Sequence, residues 1–188
     1  MAAGKRLPVV LSAAEQQALL SAPDQTELID LRNFALLTLL LNLGLRASEA
    51  LNLKIDDIDW LSGQLIVVKG KGNRDRVLWL ADEDIVTLQR WLAARPKASP
   101  YIFTTMKGRR LGDRQVRIFV KRYAKRKRIS KDVHPHTLRH TFATDLLRAT
   151  GNVVLVQKAL GHSSIATTTI YTHIVDDQLE KALKNFRK

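Results

Sequence analysis

No cysteine occurs in the 188 residues. Disulfides, thiolate nucleophiles and cysteine-held zinc are thereby excluded, and the chain suits a reducing compartment. Missing too is any uninterrupted apolar run long enough to span a bilayer. The longest, FALLTLLLNLGL at residues 34–45, is broken by Thr38, Asn42 and Gly44 and reads as a buried helix. The opening MAAGKRLPVV lacks the apolar core and cleavage pattern of a signal peptide, so the expected location is the cytoplasm. Internal repeats and low-complexity tracts are absent. Acid is scarce where base is dense: Arg109, Arg110, Arg114, Arg117, Lys121, Arg122, Lys125, Arg126, Lys127 and Arg128 face the single acid Asp113.

What is present is a core and a positive charge. Hydrophobic residues make up 45% of the chain, enough to bury a real interior and to set disorder aside. The net charge of +13 and the pI of about 10.3 fall in the range of nucleic-acid-binding domains. Residues 24–59 are net acidic, so the charge is expected to gather on one face suited to a polyanion such as double-stranded DNA. A solvated basic face is the plainer alternative, although so one-sided a run repels itself unless phosphates neutralise it.

Periodicity and capping signals predict a mostly helical single domain with one small antiparallel β-hairpin. Ser12 and Glu15 form a capping box for a helix over 13–21. A long core helix is expected over 25–43, closed by Gly44, and a short one follows in RASEALNLKIDDI with Leu51 and Leu53 inward. Residues 64–69 and 75–80 are β-rich and flank the turn GKGN. Acids at 82–84 open a helix to about 95, and YIFTT reads as a short extended piece. Asp113 is expected to cap a basic helix with Val116, Phe119, Val120 and Tyr123 inward. Pro135 starts a helix to about 149, residues 153–160 form another ended by Gly161, and Ser163 or Ser164 caps one ending near Tyr171. Residues 176–188 place Leu179, Ala182, Leu183 and Phe186 on one stripe of a final amphipathic helix.

The chemistry concentrates in VHPHTLRHTFATDLL, residues 133–147, where His136 and Arg139 stand three apart at a helix start. Side chains at i and i+3 share a face, and a guanidinium beside a histidine at a helix N-terminus suits a phosphate. In chain order the phosphate-competent residues are Arg46, Lys71, His136, Arg139, His162 and Tyr171. Each has an ordinary reading as well. Arg46 and Glu49 make a common i,i+3 surface pair, and Lys71 is a soluble turn residue with Lys69 as a rival on the same strand face. His136 and His140, four apart, raise the thought of a metal pair, with His134, His162 and His173 in reserve. No H-E-x-x-H completes it, so neither metal nor cofactor is expected. Among the tyrosines, Tyr101 and Tyr123 lie in apolar settings and read as core, as do Leu155, Val156 and Leu160. Tyr171 follows Thr167, Thr168 and Thr169, which weaken a helix, and is expected on a mobile segment.

The segments GLRASEALNL, GKGNRDR, HPHTLRHTFAT and ALGHSSIATTTIYTH together resemble the tyrosine recombinase (integrase) family, notably its Xer-like and integron-like bacterial members. The resemblance runs from about residue 12 to 173 and implies the DNA breaking-rejoining fold over residues 1–175. It further implies that Arg46 and Arg139 clamp the scissile phosphate, Lys71 serves the hairpin position, His136 and His162 are the two histidines, and Tyr171 is the nucleophile. Glu49 would brace the helix bearing Arg46. The covalent product implied is a 3′-phosphotyrosine with a free 5′-hydroxyl, formed without metal or ATP. Lys69, Arg74, Arg109, Arg110, Arg114, Arg117, Lys121, Arg122 and Lys125 are the candidate DNA contacts.

Two further expectations come from the resemblance. Most relatives carry a helical core-binding domain before the catalytic one, and with barely a dozen residues before the first helix that domain is expected to be absent. The chain is then an excised catalytic domain or a naturally minimal recombinase. In relatives the segment after the nucleophile docks on a neighbour in a tetramer on DNA, so residues 176–188 dock either on their own domain or on a second copy, and without DNA a monomer or weak oligomer is expected. Type IB topoisomerase-like relaxation and a DNA-binding regulator without turnover remain the rival functions.

Overall fold

Leu36, Leu37, Leu39 and Leu40 point to different sides of one helix, and all four are buried. A helix apolar all round has no face to give to water, so the chain must surround it. The structure, a computed structural model, describes residues 8–68, 75–162 and 168. Its elements are α1 (Ala13–Leu20), α2 (Leu28–Leu43), α3 (Ala47–Asn52), β1 (Ile58–Asp59), β2 (Gln64–Val67), β3 (Arg76–Trp79), α4 (Asp82–Ala94), α5 (Asp113–Arg126), α6 (Pro135–Thr150) and α7 (Val153–Leu160). Helix α2 is the central element and packs against α4 and α6, while α7 packs against α6 and β3. Burying each such leucine contributes roughly 2 kcal/mol.

The Ser12–Glu15 capping box forms as expected, with Ser12 N–H donating to Glu15 at 2.7 Å and Glu15 N–H to Ser12 Oγ at 3.2 Å. Gly44 ends α2 at φ 59, and a Cβ there would lie 2.1 Å from the Phe142 ring, so glycine is required twice over. The inward stripe of α5 is buried as read, with Val116, Phe119, Val120 and Tyr123 inside. Trp91 on α4 donates from Nε1 to the Ile102 carbonyl at 2.8 Å, fixing the YIFTT segment to the core. Ile102 and Phe103 there are buried, while Tyr101 is half-buried.

Several boundaries differ from the sequence reading, each for a local reason. Helix α2 starts at Leu28 rather than near 25 because the Asp24 carboxylate takes the Thr26 N–H and hydroxyl in a turn. The segment after α3 does not stay helical: residues Ile55–Asp57 make one 3-10 turn and Ile58–Asp59 adds a third strand, giving the antiparallel order β1-β2-β3. Asp113 is not the cap of α5. Gly112 holds that position, its N–H donating to Gln115 Oε1 at 3.1 Å, and Asp113 supplies negative charge to the first turn. Leu155 is not core. It is 45% exposed, because eight residues of α7 bury one narrow face, taken by Val156 and Leu160 at i and i+4.

Among the described residues no helix is long and apolar enough to cross a membrane. The turn bearing Lys69, Lys71 and Arg74, the helix expected to end near Tyr171 with its threonines 167 and 169, and the amphipathic stripe of 176–188 lie outside the described residues.

Candidate active site

The site is organised by a carboxylate. Glu49, one turn into α3, accepts the Arg46 N–H at 2.9 Å and pairs with Arg46 Nη1 at 2.9 Å. Arg76 on β3 reaches the same carboxylate with both terminal nitrogens, at 3.0 and 2.8 Å. Arg139 on α6 lies 3.8 Å away. Burial alone would raise the Glu49 carboxyl, but the Arg76 fork, the Arg46 N–H and the Arg139 charge outweigh it and hold the group at about 2. Three guanidiniums on three elements thus converge on one fixed negative charge.

Arg139 is only 4% exposed. Its Nη1 donates to the Gly44 carbonyl at 2.6 Å and its Nη2 to the Leu160 carbonyl at 2.7 Å. Both carbonyls belong to helix C-terminal ends, of α2 and α7, where the partial charge is negative and a cation is favoured. Arg46 is the outward partner: 37% of its side chain is exposed against 5% for Arg139, so an arriving anion meets Arg46 first.

His136 is exposed at the start of α6. Partial burial, followed by the charges of His134, Arg139, Arg46 and Arg117, pushes its imidazole below the ordinary value. It is therefore neutral at pH 7, able to accept a proton. His140, one turn further, is pushed down to about 4 by burial, His136, Arg139 and His134. His162 sits two residues beyond Leu160, and its Nδ1 lies 3.0 Å from Thr168 Oγ1.

The α6 N-terminus itself is a poorer anion site than the sequence suggested. Pro135 has no N–H, and the Thr137 N–H is taken by the His134 cap, whose Nδ1 it meets at 3.3 Å. His136 and Arg139 also differ in depth, one at the surface and one inside. Side chains rather than a helix end thus supply the positive field.

The basic residues of the loop and α5 are exposed, including Arg109, Arg110, Arg114, Arg117, Lys121 and Lys125. Arg110 Nη1 donates to Asn52 Oδ1 of α3 at 2.9 Å, and Arg117 bears on His136, which ties this stripe to the arginine cluster. Arg122 is turned elsewhere, 3.8 Å from Asp30 of α2 and over the Tyr123 ring at 5.1 Å. Lys121 pairs with Asp132 at 3.4 Å. Among the described residues, no group of three or more His, Cys, Asp or Glu is placed to hold a metal ion.

Arg76 went unnoticed in the sequence, although a signal existed. On a strand of period two it is in phase with the buried Leu78, so it is an inward-facing charge. Lys71 and Tyr171, essential to the expected set, lie outside the described residues.

The structure superposes on the crystal structure of XerA recombinase with a TM-score of 0.84 at 35% identity, covering 98% of this chain and 67% of that one. It superposes on XerH site-specific recombinase bound to palindromic difH substrate, a post-cleavage complex, with a TM-score of 0.83 at 32% identity, covering 100% and 56%. Fold and site thus define a tyrosine recombinase catalytic domain. In sequence the chain is 38% identical over 182 residues to tyrosine recombinase XerC of Actinobacillus pleuropneumoniae, covering 95% of this chain and 59% of that protein. It spans about three fifths of the curated relatives it matches. The phage integrase family profile matches residues 9–178, and the chain belongs to that family.

Proposed function

We propose that this chain carries the catalytic centre of a site-specific DNA recombinase that cuts and rejoins strands through Tyr171, without metal or nucleotide. The observation that carries the reading is the convergence of Arg46 and Arg139 on Glu49, with the exposed His136 at the start of the same helix as Arg139. Attack on a phosphodiester gathers negative charge on the phosphoryl oxygens, and guanidinium forks already fixed in place stabilise it. Removal of one such donor costs roughly 3 kcal/mol of barrier, about a hundredfold in rate.

In this reading the Tyr171 oxygen attacks phosphorus while the bond to the 5′ oxygen breaks, and a histidine accepts the phenol proton. A free tyrosine has a pKa near ~10, so only about one in a thousand is phenolate at neutral pH and such help is needed. Lys71, with Lys69 as its rival, gives a proton to the departing 5′ oxygen. The phosphotyrosine conserves the bond energy, and a 5′-hydroxyl from another strand reverses the step. Double-stranded DNA is the substrate, bound along Arg109, Arg110, Arg114, Arg117, Lys121 and Lys125 with Arg74 and Lys69, and the working assembly is a tetramer on two duplexes at the nucleoid. The XerH complex with difH supports a DNA substrate by kinship.

The test is incubation with nicked duplexes from DNA flanking the gene, in chelator, comparing wild type with Tyr171→Phe on a denaturing gel. A covalent protein–DNA band that requires Tyr171 is expected. A band surviving Tyr171→Phe overturns the nucleophile, relaxation of plain supercoiled plasmid without strand exchange moves the assignment to a topoisomerase, and binding without any band leaves a regulator.

A further inference from the structure

Among the described strands, Arg76 is the charged residue at a buried position, 8% exposed on the face that otherwise shows Leu65, Val67 and Leu78 to the core. A buried guanidinium is costly unless it is paired and hydrogen-bonded. Arg76 is both, and joins two parts of the site: its terminal nitrogens fork onto both oxygens of Glu49, and its Nε donates to the Ala159 carbonyl at 2.8 Å. The next carbonyl along, that of Leu160, is held by Arg139. Two successive carbonyls at the end of α7 are therefore fixed by two arginines that both face Glu49, and His162 stands two residues beyond.

The charge count gives this arrangement its meaning. Arg46 at the N-cap of α3, Arg139 on α6 and Arg76 on β3 face one carboxylate. With Arg76 satisfying that carboxylate, two guanidinium charges remain for an anion. Without it, the carboxylate that Arg46 Nη1 already contacts at 2.9 Å cancels one of the two remaining guanidiniums, and a single net charge is left.

We infer that Arg76 is a positioning residue for the arginine cluster, one that neutralises Glu49 so that Arg46 and Arg139 keep their charge for a phosphate, and anchors the α7 end that leads to His162. Its catalytic consequence rests on the strand-transfer reading above; its electrostatics do not. A bidentate fork and a third donor in fixed directions are what lysine cannot reproduce.

The experiment compares wild type, Arg76→Met and Arg76→Lys by three readouts: the NMR titration of the Glu49 carboxyl carbon, the affinity for inorganic phosphate followed on the His136 ring, and the rate of covalent complex formation on nicked duplex. Thermal unfolding monitors the fold. Arg76→Met is expected to titrate Glu49 at higher pH and to weaken phosphate about tenfold, the scale of one charge-assisted contact. It slows cleavage by about tenfold to a hundredfold with the KM for DNA nearly unchanged. Arg76→Lys recovers phosphate affinity through its charge and leaves cleavage slow. Should Arg76→Met fail to fold, Arg76→Lys decides: slowed cleavage with retained phosphate affinity supports the inference, and a wild-type rate overturns it. Unchanged phosphate affinity and Glu49 titration in a folded Arg76→Met also overturn it, as does a lowered melting temperature that Arg76→Lys does nothing to relieve. If wild type forms no covalent complex, the strand-transfer reading falls while the first two readouts still decide the role of Arg76.

Discussion

Arg139 and Gly44 stand 95 residues apart in sequence, yet the Arg139 guanidinium donates to the Gly44 carbonyl at 2.6 Å. The site arginine thus depends on a backbone turn that only glycine can make there.

Gly44→Ala strains a φ of 59 and drives a Cβ to 2.1 Å from Phe142 Cδ1. The expected cost is about 1–3 kcal/mol, the range of overpacked cores, with slower cleavage because the carbonyl that orients Arg139 moves. Denaturant unfolding measures the first effect. Adding Phe142→Ala tests the cause, since the double variant should lose less than the sum of the two; strict additivity would rule out the steric origin.

Acid should unfold this protein in two stages. His140 is held at about 4 against an ordinary 6.5, so the unfolded chain takes up its proton first, and stability complete above pH 6.5 declines as pH falls toward 4. Glu49, held at about 2 against 4.5, stabilises fully above pH 4.5 and loses that contribution as pH falls toward 2. Urea midpoints from pH 7.5 to 3 should show both declines, and His140→Gln should flatten the upper one. A profile flat from pH 7 to 4.5 contradicts a half-buried His140 held below its ordinary value.

Tyr123→Phe should cost stability and spare chemistry. The Tyr123 hydroxyl donates to Asp30 at 2.6 Å and accepts from Asn33 Nδ2 at 2.8 Å. Asn33 also receives the buried Arg32 guanidinium at 2.9 Å, so the loss reaches a buried charge. A decrease of about 1–3 kcal/mol is expected, with the covalent DNA complex retained. Loss of that complex in a stably folded Tyr123→Phe would reopen the choice of nucleophile.

DNA affinity should fall steeply with salt. Arg114→Ala and Arg117→Ala are each expected to reduce the slope of log affinity against log salt by about 1, the signature of one phosphate contact. Arg122→Ala should change it less, because that side chain is spent on Asp30 and Tyr123. Equal slopes for all three would mean that α5 does not lie along the duplex.

Much of this was legible in the sequence because it was local. The Ser12–Glu15 cap, the α5 stripe and the glycine ends of α2 and α7 follow from spacing and chirality within a few residues. Arg46, His136 and Arg139 were found by motif; the structure brings the two arginines onto Glu49, and their charges act on the exposed His136. What escaped was set by distant partners. The Arg76 fork needs β3 to pair with β2 and lie across from α3, and β1 exists because a strand was available at Gln64 and Leu65. Leu155 was misplaced because an eight-residue helix has room to bury little more than Val156 and Leu160.

The end of α7 is held at Ala159 by Arg76 and at Leu160 by Arg139, and both arginines answer to Glu49. Strand, helix and carboxylate must all be in place before the end of α7 is held from both sides. A chain in which α7 has come loose therefore loses, in one event, a backbone partner of Arg76 and a backbone partner of Arg139.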